Sequence, residues 1–196
     1  GTTPGVTFGY DAASRLTTVN NSNATISRTY FNDNLLKSET ETAIGGVSRA
    51  VNYTYDSDGN RASLGIPGYA FNYDYTNRNQ LQDIINNSNN ATIASYVYDA
   101  RGNVQSRTLS SNGTSSDYRY DVYDRITLLH HVLTSGTRAI QYGYDDINHS
   151  NNRLWTKRIV SPQSPENNKG EVFSHDLADQ VSAFQLNVLN PDQVPQ

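Results

Sequence analysis

The sequence predicts an all-β protein built as a tandem array of β-hairpins, an antiparallel meander. Three observations predict it. A phrase reading Tyr-x-Tyr-Asp, two loose positions, Gly or Asn, a long polar residue and an aliphatic one returns about every two dozen residues. The runs between phrases are rich in Thr, Val, Ile and Tyr, and no long 3.6-residue stripe with helix caps interrupts them. Turn signals then punctuate those runs about once per phrase.

Taken in chain order, the first phrase runs from Phe8 to Leu16 and carries Tyr10 and Asp11. Thr17 to Val19 reads as a strand, the polar cluster Asn20 to Asn23 as a hairpin tip, and Ala24 to Thr29 as the return strand into Tyr30. The second phrase, Arg28 to Leu36, is looser, and Gly45-Gly46 marks the next tip. YTYDSDGNR, from Tyr53 to Arg61, is a clear copy with Tyr53, Tyr55, Asp56 and Gly59 in the defining places. Gly65 to Gly68 reads as a tip leading to Tyr73 and Tyr75, whose phrase ends at Leu81. Asn86 to Asn90 is the following tip.

YVYDARGNV, from Tyr96 to Val104, is the second clear copy, with Tyr98, Asp99 and Gly102. A run to Leu109 meets Asn112-Gly113, a strong hairpin signal because both positions of such a turn need positive φ. The third clear copy, YRYDVYDRI, spans Tyr118 to Ile126 with Tyr120 and Asp121. Leu128 to Leu133 fits either helix or strand by pattern, and the flanking phrase and the Ser135-Gly136 turn favour strand. The phrase from Tyr142 to Leu154 contains Tyr142, Tyr144 and Asp145. An irregular tip follows at about 161–170, where two Pro and paired Asn suit a loop. The last phrase, Phe173 to Val181, puts His175 in the second aromatic slot.

Each phrase makes sense as a reverse turn at the edge opposite the tips. Rings two residues apart lie on one face of a strand. The Asp accepts hydrogen bonds from amides two residues on, and Gly59, Gly102 and Asn77 are placed where positive φ reverses the chain. Anchored on Tyr10, Tyr30, Tyr55, Tyr75, Tyr98, Tyr120, Tyr144 and His175, successive phrases lie 20, 25, 20, 23, 22, 24 and 31 residues apart. Residues 1–196 therefore read as a single array of about eight phrases and seven hairpins. Phrases close to both ends indicate a piece of a longer repeat protein. A lone hairpin is marginal in water, so neighbours must stack.

The apolar share of 35% is low, yet 10% of residues are aromatic, 14 of them Tyr, which points to order with a thin aromatic core and not to disorder. Net charge is −4 with no basic block, which argues against a nucleic-acid partner. No apolar run is long enough to span a membrane, and the absence of Cys removes disulfides and thiol chemistry.

The phrase and its period resemble the YD-repeat, or Rhs-repeat, family over roughly Phe8 to Val181. That family takes in bacterial Rhs toxins, toxin-complex shell subunits, wall-associated surface proteins and the animal teneurins. The resemblance implies a long sheet that curves or spirals into a hollow barrel or shell. In the toxins such a shell encloses an inactive C-terminal toxin domain; in teneurins and surface proteins it resembles an adhesion scaffold. The family's Asp-Pro-containing, Gly-rich core segment, its toxin domain and its propeller region have no counterpart in this sequence.

The leading expectation is a non-enzymatic wall segment of an extracellular or cell-surface shell, its partners other YD repeats and an encapsulated toxin domain. Two alternatives stay open: a self-assembling fibre or sheath subunit, and an adhesion module that stacks surface glycans on exposed Tyr. No cofactor is expected. Asp56, Asp58 and Asn60 echo a calcium loop, but Gly59 falls at the fourth place and Pro67 at the twelfth, so a structural turn is favoured. His130 and His131 alternate across a strand and cannot share a metal, and His149 lies in a polar insert. Asp99 with Arg101 and Asp124 with Arg125 read as solvated pairs contributing about 0–1 kcal/mol each. Asn-x-Ser/Thr triplets at Asn20, Asn23, Asn52, Asn86, Asn90, Asn112 and Asn148 read as Asn-rich turns. Rings of successive repeats are expected to stack on one another.

Overall fold

A computed structural model describes residues 5–43, 45–145, 152–161, 167–175 and 180–194. The chain divides into two compact units, 1–93 and 94–196. The first holds β1 (Thr7–Tyr10), β2 (Leu16–Asn20), β3 (Ala24–Tyr30), β4 (Leu36–Ala43), β5 (Ser48–Tyr55), β6 (Arg61–Ile66), β7 (Tyr69–Tyr75) and β8 (Leu81–Asn86). Next comes β9 (Ala91–Tyr98), which runs into the second unit. That unit continues with β10 (Val104–Leu109), β11 (Thr114–Tyr120), β12 (Ile126–Leu133), β13 (Gly136–Tyr144), β14 (Arg153–Ser161), β15 (Lys169–His175) and β16 (Val181–Leu189). In each unit the strand order is the chain order, and every neighbouring pair is antiparallel. The all-β hairpin array is what the repeats demanded. The run Leu128–Leu133 is strand, within β12.

The period-2 alternation explains the strands. In β5, Val51, Tyr53 and Tyr55 are half-buried while Asn52 and Thr54 face out. The outward face carries hydroxyl pairs across strands, Thr29–Ser38 at 2.6 Å and Thr54–Ser63 at 2.7 Å, a favourable cross-strand pairing. Among the described residues buried side chains are few: Ala94, Ala139, Val172 and Pro191, with polar Ser116, Thr156 and Arg125. Apart from the exposed Tyr10 and Tyr123, the Tyr of the phrases are half-buried, so the expected core is a partly wetted face, not a dry interior. A short 3-10 turn, Pro191–Gln193, packs on β14 and β15, buries Pro191 and ties Asp192 to Lys157 at 3.0 Å.

Several local expectations are corrected. Gly65 lies inside β6, paired with both Asn52 and Ala70, so the tip is only Pro67-Gly68. Asn52 is likewise mid-strand, because its neighbours alternate with the half-buried row. Asn112-Gly113 closes a four-residue tip between Leu109 and Thr114 in which Gly113 alone of the pair has positive φ; the Asn112 side chain caps Thr114 instead. Asn77 does not reverse the chain; Asn79 does, at φ 57. His149, Asn148 and half of the tip at 161–170, residues 162–166, lie outside the described residues.

Gly143 is set directly beneath the Trp155 ring, and a Cβ there would overlap the indole. Gly143→Ala is therefore expected to displace the chain's single Trp and cost about 1–3 kcal/mol. A changed tryptophan emission together with a lower urea midpoint checks it.

Candidate functional site: the repeat turn and its neighbour

Each phrase builds the same small machine. The second aromatic slot pairs with the residue that opens the next strand: Tyr10 with Leu16, Tyr30 with Leu36, Tyr55 with Arg61, Tyr75 with Leu81. The second unit repeats this with Tyr98 and Val104, Tyr120 and Ile126, Tyr144 and Arg153, and His175 and Val181. In every one of these pairs the register slips next to that slot, a β-bulge. Bulges bend a strand and break its ladder locally.

The turn between the strands is held by the Asp. Asp56 Oδ1 accepts the amides of Asp58 and Asn60 at 3.0 and 2.8 Å, and Oδ2 accepts Asn60 Nδ2 at 3.1 Å. Asp11, Asp99 and Asp121 make the same two amide bonds, and their Oδ2 atoms accept Arg15 Nε, Asn103 Nδ2 and Arg125 Nε. Thr76 replaces Asp in its phrase and accepts the amides of Arg78 and Gln80 through its hydroxyl. The residue three after the Asp place, which is Phe31 in the second phrase and Thr76 in the fourth, is left-handed: Ser14, Asn34, Gly59, Asn79, Gly102 and Asp124. Gly59 and Gly102, at φ 84 and 96, fill it without strain. Both carboxylate oxygens of Asp56 are thus spent on its own turn, in line with the favoured structural-turn reading.

Neighbouring phrases are then tied to each other through phenols. Tyr30 donates its hydroxyl to the Leu16 carbonyl at 2.7 Å, Tyr55 to Leu36 at 3.0 Å and Tyr75 to Arg61 at 3.0 Å. Tyr120 donates to Val104 at 3.0 Å and Tyr144 to Ile126 at 2.8 Å. The acceptor is always the residue that opens the strand after the preceding phrase, next to that phrase's bulge. Tyr10, 62% exposed, makes no such bond among the described residues. Burial pushes the phenols of Tyr75, Tyr98, Tyr120 and Tyr144 up from their ordinary pKa.

The long polar residue of the phrase reaches the next turn. Arg15 Nη1 donates to the Phe31 carbonyl at 2.8 Å and to Asn34 Oδ1 at 3.1 Å. Asn60 Nδ2 reaches Asn79 Oδ1 at 3.2 Å and Asn103 Nδ2 reaches Asp124 Oδ1 at 2.7 Å. Arg125 pairs with Asp121 at 2.6 Å and is 5% exposed; it does not pair with Asp124, which instead meets Arg101 at 3.0 Å. The anticipated ring stack is replaced by arginines between rings. Arg61 sits over Tyr53 and Tyr73, Arg125 over Tyr123 and Tyr144, and Arg153 over Tyr142 and Phe173. Among the described residues one ring–ring pair is present, Phe31 with Tyr55, edge-on at 6.2 Å. A guanidinium between rings gains cation–π attraction while its stem covers apolar surface. Of these only Arg125 stands in the long polar place; Arg61 and Arg153 stand in the otherwise aliphatic place that opens the next strand, where the phrase gave no signal for them.

Elsewhere, Ser116 Oγ meets His131 Nδ1 at 2.8 Å, but Ser116 is 2% exposed and closed to any substrate. His130 turns to the other face, toward Asp117 at 3.3 Å. Among the described residues no three His, Asp or Glu side chains gather as a metal site, and no helix is long and apolar enough to cross a membrane.

A family profile described as Teneurin YD-shell matches residues 4–160. The chain belongs to the teneurin YD-shell family. The repeated Tyr-Asp turn is thus a YD-shell turn, and a YD-shell segment is a structural, wall-forming fold. Two solved structures share this fold. One is the crystal structure of TcdB2-TccC3-Cdc42, at 15% identity and a TM-score of 0.73, covering 88% of this chain and 10% of that one. The other is a Photorhabdus luminescens Tc holotoxin pore with a TccC3 mutation, at 17% identity and a TM-score of 0.73, covering 87% of this chain and 10% of that one. The YD-shell chain described here therefore spans about a tenth of the length of these structural relatives. No curated protein matches its sequence.

Two expectations follow from the turn. Tyr120→Phe removes one phenol bond and keeps the ring, so unfolding free energy should fall by about 1 kcal/mol in urea titration. The second concerns acid. Folding lowers the pKa of four turn carboxyls. At Asp11 the Arg15 amide and guanidinium are responsible; at Asp56 the Asn60 side chain leads. At Asp99 and Asp121 partial burial pushes up, but the Asn103 and Arg125 hydrogen bonds together outweigh it. A lowered folded value means the stability is complete above the ordinary carboxyl value of 3.8 and drains as pH falls through the folded values. The melting temperature should hold from neutral to about pH 4 and drop below it; a midpoint that rises on acidification contradicts this.

Proposed function

We propose that this chain is wall: a non-enzymatic segment of a secreted YD-repeat shell that encloses a polypeptide cargo. One observation carries the reading. The phrase side chains are spent on turns and on neighbouring repeats, through bonds from Tyr30, Tyr55, Tyr75, Tyr120 and Tyr144 to the preceding hairpin. Such chemistry builds sheet and, among the described residues, leaves no constellation poised to act on a substrate. Tyr10, Asp11, Tyr30, Tyr53, Tyr55, Asp56, Tyr73, Tyr75, Tyr96, Tyr98, Asp99, Tyr118, Tyr120, Asp121, Tyr142, Tyr144 and Asp145, with Gly59 and Gly102, are the residues to which this role falls.

The resemblance to toxin-complex chains supports both the enclosure and an extracellular location. The partners are further YD repeats and the enclosed chain.

The test uses the intact polypeptide that carries this array, purified from culture medium. Limited proteolysis should spare the cargo while the wall is native. Replacing both Tyr55 and Tyr120 by Ala should expose the cargo to cleavage at protease concentrations that leave the parent untouched. A cargo cut equally fast in both would remove the enclosure.

A further inference from the structure

One row of side chains crosses the middle of the second unit and takes no part in the turn chemistry. Register sets Tyr96 opposite Arg107, Arg107 opposite Ser116, and Ser116 opposite His131. The row continues with His131 opposite Arg138 and Arg138 opposite Val160, so all six residues share one face of β9 to β14. None carries a carboxylate. The next row on that face, Tyr118, Leu129 and Ile140, holds no acid either. Asp117 lies on the opposite face, where it meets His130 at 3.3 Å.

The polar groups of this row are short of partners. Arg107 is half-buried, and its Nε is buried and meets no acceptor. Neither Arg107 nor Arg138 makes an ion pair among the described residues, whereas Arg28, Arg101, Arg125 and Arg158 each have one. Ser116, 2% exposed, forms the floor and meets His131 Nδ1 at 2.8 Å, which leaves the imidazole Nε2 to a ligand. A half-buried guanidinium beside apolar neighbours, with an unanswered donor and no counter-charge, is unfavourable until an anion reaches it.

We propose that this row docks an extended, acidic polypeptide segment with Glu or Asp at alternate positions. Charge complementarity selects the acid, and spacing selects the extended chain. Arg107 on β10 and Arg138 on β13 are three strands apart, about 14 Å at the usual inter-strand spacing. Side chains at i and i+4 of an extended segment stand about 13 Å apart, and the one at i+2 falls between Ser116 and His131. The apolar row beside the cations suits a peptide, because Glu methylenes can lie on Tyr118 and Leu129; a sulfated sugar is polar throughout. The docking row goes beyond the wall reading and does not rest on it, so its loss would leave the wall standing.

Fluorescence anisotropy on the chain itself tests it, with labelled synthetic peptides as probes. A peptide reading Gly-Glu-Val-Glu-Val-Glu-Gly should bind, and its Gln counterpart should bind at least about 10-fold more weakly. Arg107→Met should weaken the Glu peptide about 10-fold, with a melting temperature no lower than the parent's, because the unanswered buried donor goes with the guanidinium. The more exposed Arg138→Gln should weaken it about 3-fold. A charge swap adds a positive control: with one terminal Glu of the peptide changed to Lys, Arg138→Glu should bind it more tightly than the wild type does. Equal affinity for the Glu and Gln peptides overturns the proposal. So does Glu-peptide affinity unchanged by Arg107→Met and Arg138→Gln, or a swapped peptide that does not prefer Arg138→Glu. A sulfated hexasaccharide that binds more tightly than the peptide, and is lost with the same substitutions, overturns it as well.

Discussion

The structure depends on one hydrogen bond repeated: a phenol donated to the carbonyl that opens the preceding bulged strand. A sheet one layer thick buries little, and among its described residues this one buries only a handful of side chains. Hydrophobic burial is therefore too thin to fix where one hairpin lies on the next. The Tyr30, Tyr55, Tyr75, Tyr120 and Tyr144 bonds do that, because each reaches from one repeat to a backbone atom of its neighbour. Their acceptors stand beside bulges, where the ladder is already interrupted.

The Asp completes the arrangement from the other side. By accepting two amides and one side-chain donor, it fixes the turn so that the Tyr next to it always leaves the strand in the same place. The long polar residue of the phrase then hands the turn on to its neighbour, as Arg15 does with Phe31 and Asn34. Arginines between rings serve the same end. Each lies over one face of two aromatics, where a ring-on-ring stack would have needed a second layer to stay dry. The result is a surface whose chemistry is directed inward along the sheet, in keeping with a wall.

Much of this was legible in the sequence, because a phrase repeated eight times averages out local ambiguity. The strands, the Asp turn and the one-sided Tyr row all follow from period and turn chemistry. Other features depended on partners distant in sequence. The bulge at each phrase has no residue signature of its own; it is a matter of how two strands count against each other. Asn77 and Asn79 are both plausible reversal points by type, and only the spacing of the turn bonds selects the second. Asp124 stands next to Arg125, yet adjacent residues on a tight turn diverge, so Arg125 folds back on Asp121 and Arg101 reaches Asp124 from the previous phrase. Asn-Gly at 112–113 read as a two-residue turn, while strand register made room for four.

The most direct measurement is native-state hydrogen exchange on Tyr55→Phe. If the phenol is the bond between neighbours, amides in both β4 and β5 should exchange faster, the acceptor's strand as much as the donor's, while β13 and β14 keep the parent's protection. If β4 is unaffected and any loss is confined to β5, the phenol does not couple the repeats and the account fails.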